Sequence, residues 1–179
     1  MSRHGNCSTR VVSLSVCLGS ISLLCAAALA NAAAESGVIQ VKGTGTDLLN
    51  GEIVHFKKAT PTGELQKSTE IAELRGDLNG KVLYHVTAEL DYTKGTLVKT
   101  GDQVFSGTIV GSEPVMVHDS KFRFELNLAT GAEFGSVYLF NHITGPRVQC
   151  ELQVTGTGTN ADGNRTFSYD GKCIFAGGR

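Results

Sequence analysis

Arg147-Val148-Gln149-Cys150-Glu151-Leu152-Gln153-Val154 interleaves four polar residues with four apolar ones. In an extended chain residues i and i+2 share a face, so Val148, Cys150, Leu152 and Val154 line one side of a strand. Lys121-Phe122-Arg123-Phe124-Glu125-Leu126-Asn127-Leu128 repeats the pattern, and so does the run holding Val82, Tyr84, Val86, Leu90 and Tyr92. No stripe of helical period stands out from Ser36 onward. Between the alternating runs sit Leu49-Asn50-Gly51, Pro61-Thr62-Gly63, Gly76-Asp77-Leu78-Asn79-Gly80, Lys94-Gly95, Thr130-Gly131, Gly145-Pro146 and Asp162-Gly163. Gly and Asn tolerate positive φ and Pro presets its own, so these stretches read as turns. The pattern predicts eight to ten short strands, at about 38–44, 51–57, 69–75, 81–92, 97–110, 114–118, 121–128, 134–142, 147–155 and 165–175. Short strands at regular spacing, with no room for crossover helices, read as an antiparallel all-β sandwich or barrel.

The last two strands allow a register to be written. With a turn over Asn160-Ala161-Asp162-Gly163, Cys150 faces Cys173, Val154 faces Tyr169, Leu152 faces Gly171 and Val148 faces Phe175. Glu151 and Lys172 then oppose each other on the polar face, a mildly favourable cross-strand pair. Directly opposed residues have Cα atoms about 4.5 or 5.5 Å apart, within disulfide range. A Cys150–Cys173 disulfide is therefore expected, the alternative being two buried thiols.

The compartment supports the disulfide. Arg3, His4 and Arg10 precede an uncharged stretch from Val11 to Ala30, followed by Asn31-Ala32-Ala33-Ala34. Positive start, apolar run and small residues in that order describe a secretory signal peptide, here residues 1–32, with cleavage after Ala32. The alternative is an uncleaved anchor, the one route by which a membrane would be involved. Removal takes three of the five cysteines and leaves about 147 residues, with 14 Lys and Arg against 17 Asp and Glu. Two cysteines in a secreted or periplasmic protein suit one bridge. The slightly acidic balance offers no basic stripe, so nucleic acid is not an expected partner.

The residues carry no nucleophile elbow, phosphate loop, dinucleotide fingerprint or metalloprotease motif. His55, His85, His118 and His142 are scattered over separate segments, so neither a metal site nor a cofactor is expected, and no catalytic residue is assigned. Glu113 and His118-Asp119 form the densest titratable group. They read either as an acid–base pair at a barrel mouth or as a polar rim closing a strand. Tyr84, Tyr92 and Tyr169 share register with apolar neighbours, and an inward Tyr offers a ring and one hydroxyl to a small ligand. Candidate ligand-binding residues are thus Tyr84, Tyr92, Tyr169, Glu113 and His118. The Gly43-Thr44-Gly45-Thr46 and Gly156-Thr157-Gly158-Thr159 echoes read either as small inner-face residues where a barrel curves or as chance. Asn164-Arg165-Thr166 is an N-glycosylation acceptor pattern in the terminal hairpin.

Gly76-Asp77-Leu78-Asn79-Gly80, Phe105-Ser106-Gly107-Thr108 and the Gly-Thr-rich C-terminal hairpin resemble the allene oxide cyclase and dirigent-like β-barrel group over about 70–179. The resemblance implies an eight-stranded barrel that holds or steers a small organic molecule, in some members as a cyclase. Zero Trp sets the chain apart from lipocalins and avidins. The expected fold is a small antiparallel β-barrel of about eight strands over 33–179, behind the signal peptide. The expected function is an exported barrel binding a small apolar molecule in its lumen. Two alternatives stand beside it: a cyclase or isomerase, and a structural or interaction protein with a filled barrel.

Overall fold

The computed structural model describes residues 37–176; the signal peptide expected over 1–32 lies outside them. The strands are β1 (Val38–Asp47), β2 (Ile53–Thr60), β3 (Gly63–Gly76), β4 (Leu78–Asp91), β5 (Thr96–Ile109), β6 (Val115–Asn127), β7 (Glu133–Leu139), β8 (Asn141–Thr144), β9 (Val148–Thr159) and β10 (Arg165–Phe175). A 3₁₀ turn, Leu49–Gly51, links β1 to β2. All pairings are antiparallel, in the order β1-β10-β9-β7-β6-β5-β4-β3, and β1 returns to pair with β3. The result is a closed barrel of eight strands, which leaves no edge in the wall. Among the described residues no helix is long and apolar enough to cross a membrane.

Two strands stand off the wall. β3 is longer than its pairing with β1, which uses only Ala72–Gly76; its first half pairs instead with β2. β2 is exposed along its whole length and forms a flap beyond one end of the barrel. β8 continues the line of β7 and pairs with β6 at Met116–His118, whereas β7 pairs with β6 at Arg123–Leu126. The gap between these two ladders is filled by Asp119, whose carboxylate accepts from the Tyr138 backbone N–H at 2.8 Å, the Lys121 N–H at 2.6 Å and Gln103 Nε2 at 2.9 Å.

Sequence and structure differ here for physical reasons. The expected strands 114–118 and 121–128 are one strand, because Asp119 caps the backbone at the irregular point and lets the ladder resume. The expected strand 134–142 is instead two, β7 and β8. The hairpin across Pro61-Thr62 extends β2 and β3 well past the expected limits of 57 and 69. Those extra residues alternate poorly because neither face of the flap is fully covered.

The terminal hairpin has the expected register: Cys173 opposite Cys150, Tyr169 opposite Val154, Gly171 opposite Leu152, Phe175 opposite Val148 and Lys172 opposite Glu151. Cys150 and Cys173 are joined, with Cα atoms 4.1 Å apart. Their side chains belong to an apolar layer with Val41, Leu78, Phe105, Ile109, Val115, Val117, Leu139, Val148 and Phe175, all buried, which closes one end of the barrel. Above it Tyr169 ties strands together: its hydroxyl accepts from the Leu78 N–H at 2.8 Å and lies 3.0 Å from the Leu78 carbonyl. The inner-face glycines have a clear role. A methyl group at Gly43 would overlap the Tyr169 hydroxyl, and one at Gly45 would overlap the Phe167 ring.

Candidate functional site at the barrel mouth

The end of the barrel opposite the disulfide is open. It is formed by the last residues of β1, β4, β6 and β9 and the first of β3, β5, β7 and β10, with the Leu48–Leu49 corner and the β2–β3 flap beside it. Asn164 fixes that corner by accepting the Leu49 N–H through Oδ1 at 3.1 Å. A cavity of about 260 Å³ lies here, lined on its apolar side by Leu48, Leu49, Ile71, Ala88, Leu90 and Leu97, and on its polar side by Asp47, Glu52, Glu64, Gln66, Glu70, Lys99 and Arg165. Beneath it, sharing Asp47, Glu70 and Lys99, is a void of about 20 Å³ walled by Tyr84, Val86, Phe122, Phe124, Glu133, Val154 and Phe167. A second void of about 20 Å³, deeper in the lumen, has an almost wholly apolar wall. Each void is about the size of one water molecule. Within the barrel, the room for a ligand is therefore at the mouth, above a lumen filled by its own side chains.

Charge is organised across the strands. Lys99 Nζ lies 2.6 Å from Glu70 Oε2, and Arg165 bonds Glu133 Oε2 at 2.8 Å. Both pairs are largely withdrawn from solvent, so they are screened less than surface pairs. Gly156 makes room for Glu133, since a side chain there would press on the Glu133 Cβ. Asp47 stands between these pairs and has no hydrogen bond or ion pair among the described residues. Burial raises its carboxyl to about 6, with Glu70 and Glu133 adding to the rise and Lys99 and Arg165 opposing it. The Tyr84 hydroxyl likewise makes no hydrogen bond among the described residues. Burial holds its pKa well above the usual phenol value, and the charges of Asp47, Glu70 and Glu133 push it the same way. Tyr84 packs edge-on against Phe122, ring centroids 5.5 Å apart, and Phe122 lies 5.4 Å from Phe124, giving the void an aromatic floor.

The five residues read from sequence as ligand contacts separate in space, and only Tyr84 reaches this site. Tyr169 is buried lower in the barrel, its hydroxyl occupied by backbone groups. Tyr92 is 67% exposed: β4 ends at Asp91, and the turn that follows breaks the alternation that would have turned Tyr92 inward. Glu113 is exposed in the turn before β6, near the closed end. His118 lies between inward Val117 and Asp119 and so faces out, its Nε2 3.7 Å from Asp102, which also meets His85 Nδ1 at 3.5 Å. Among the described residues no group of three or more His, Cys, Asp or Glu side chains is arranged to hold a metal ion.

The reading of the sequence missed Asp47, Glu70, Lys99, Glu133 and Arg165. A signal for them exists. Each is two residues along its strand from an inward position: Gly45, Ala72, Gly101, Gly135 and Phe167. A charge in phase with the apolar face, set where that face runs out, marks the rim of a lumen. Which ends converge depends on the closure of β1 on β3, and that pairing is not written in any single strand. No protein family, curated protein or solved structure matches this chain.

Proposed function

We propose that this protein is an exported barrel that binds a small molecule with an apolar body in the cavity at its mouth. The observation that carries this reading is the cavity of about 260 Å³ with one apolar wall and one charged wall, close to the lower limit of typical ligand sites. The apolar wall would desolvate the body of the ligand, and the charged wall would orient it. Export rests on the signal-peptide pattern and agrees with the disulfide, which persists in oxidising compartments. The likeness to the allene oxide cyclase and dirigent-like group points the same way, because those barrels hold or steer small organic molecules.

The test is uptake of a neutral fluorescent probe, N-phenyl-1-naphthylamine, by the disulfide-bonded protein. We expect saturable binding of one probe per chain, and its suppression in Leu97→Trp, which fills the apolar wall. A protein that gives no saturable signal overturns the reading. A second reading, a cyclase or isomerase using the same cavity, is favoured by Asp47, a carboxyl that exchanges its proton near pH 6 beside apolar surface. On that reading Asp47→Asn retains probe uptake and loses turnover of any substrate found; turnover that survives the substitution overturns it.

A further inference from the structure

We infer that the ligand carries a primary ammonium group, seated in the small void below the mouth cavity between the Asp47 carboxylate and the Tyr84 hydroxyl, with its apolar body above. This rests on the mouth-binding reading and adds the chemical class of the ligand.

Three observations converge on it. The first is charge balance. Asp47, Glu70 and Glu133 face Lys99 and Arg165. Lys99 is held by Glu70 and Arg165 by Glu133. One negative charge, on Asp47, is left without a partner, and a single cation brings the group to neutrality. Asp47 is half-buried, and a carboxylate with reduced hydration gains more from a cation delivered to it than one at the open surface.

The second is the pair of unused polar groups. The Tyr84 side chain is buried at 6% exposure, and its hydroxyl makes no hydrogen bond among the described residues. It borders the void that Asp47 also borders. Neither polar group is hydrogen-bonded to another described residue, and both border the same void, so a donor placed there can meet the two together. An ammonium supplies three N–H donors, enough for the Asp47 carboxylate and the Tyr84 oxygen together.

The third is size and surface. A void of about 20 Å³ accepts one water-sized group, which –NH₃⁺ is and a trimethylammonium is not. Phe122, Phe124 and Phe167 also wall this void, and aromatic faces attract a cation. A carboxylate ligand would meet the same three carboxylates and be repelled. A neutral alcohol would satisfy the hydrogen bonds and leave the charge of Asp47 uncompensated.

The test is calorimetric titration of the full, disulfide-bonded chain at pH 7.5 with phenethylammonium, 2-phenylethanol, phenylacetate and phenethyltrimethylammonium. We expect phenethylammonium to bind at least about 10-fold more tightly than each of the other three. Asp47→Asn should remove most of that preference, and Tyr84→Phe should weaken phenethylammonium several-fold. Affinity of the unsubstituted protein should fall as pH drops below about 6, where Asp47 takes up its proton beside Glu70, Lys99, Glu133 and Arg165. The Asp47→Asn protein should lack that step. Equal binding of phenethylammonium and 2-phenylethanol, or tighter binding of phenylacetate, overturns the ammonium assignment and leaves the mouth reading standing. Trimethyl binding as tight as the primary amine overturns the seat in the void. Absence of binding by all four, together with absence of probe uptake, overturns both.

Discussion

Two aspartates, one buried and one half-buried, illustrate how differently one side chain can be used. Asp119 is 1% exposed and fully engaged: three N–H groups converge on it where the β6–β7 and β6–β8 ladders part. Removing it strands two backbone donors and one amide, and each buried orphan costs about 1–3 kcal/mol. Asp119→Ala should therefore destabilise the protein by about 3 kcal/mol or more, read from the urea midpoint. Asp119→Asn should also cost stability, because its NH₂ faces a donor. Asp47 is the converse, a carboxyl with no protein partner. Its pKa is raised in the fold from 3.8 to about 6, so between those values the folded chain binds more protons than the unfolded one. Stability from this group therefore falls as pH rises from about 4 to about 6. Relative to the unsubstituted protein, Asp47→Asn should gain up to about 3 kcal/mol at pH 7, a gain that vanishes below about pH 4. Denaturant midpoints measured for both proteins across this range check the sign. At Gly45 the constraint is space alone: Gly45→Ala drives a methyl into the Phe167 ring, and overpacking of this kind costs about 1–3 kcal/mol.

Among the elements, the β9–β10 hairpin was the most legible. From the cysteines to Phe167 its cysteines, charges and apolar residues match in a single register, which shifts only at Thr166–Phe167 beside the turn. The disulfide spans 23 residues, and a crosslink over a loop of that size contributes about 3 kcal/mol through lost chain entropy in the unfolded state. The Cys150→Ala, Cys173→Ala double variant should unfold at correspondingly lower denaturant concentration, with the hairpin register unchanged in nuclear Overhauser contacts between Val154 and Tyr169. The β2–β3 flap was the least legible element. Its residues are exposed or half-covered, so no buried face imposes the alternation from which strands are read. The β6–β7–β8 seam was misdivided because a polar residue, Asp119, continues a strand that the alternation alone would break.

At the scale of the whole barrel, stability and the candidate site occupy opposite ends. The disulfide and the apolar layer with Leu78, Phe105 and Ile109 close one end, while carboxylates, Lys99 and Arg165 ring the other. This division predicts a double dissociation. Ile109→Ala, at a fully buried position, should cost about 2–5 kcal/mol and leave probe affinity unchanged. Leu97→Trp at the mouth should do the reverse, abolishing uptake with little change in unfolding midpoint. A common effect of both variants on affinity would show that the two ends are not independent.

By itself the sequence determined what local chemistry can determine. Period-two alternation specifies strands, and turn residues specify where they reverse. One matched hairpin specifies the Cys150–Cys173 pair, because every residue of that inference lies within one stretch of chain. Only the tertiary structure decided which strand ends meet. Asp47, Glu70, Lys99, Glu133 and Arg165 come from five different strands, and they form one ring because β1 pairs with both β10 and β3. The same closure brought Tyr84 under that ring and left Tyr92, Glu113 and His118 outside it. Parity says which way a side chain points. Distance between strands far apart in sequence follows only from closing the barrel.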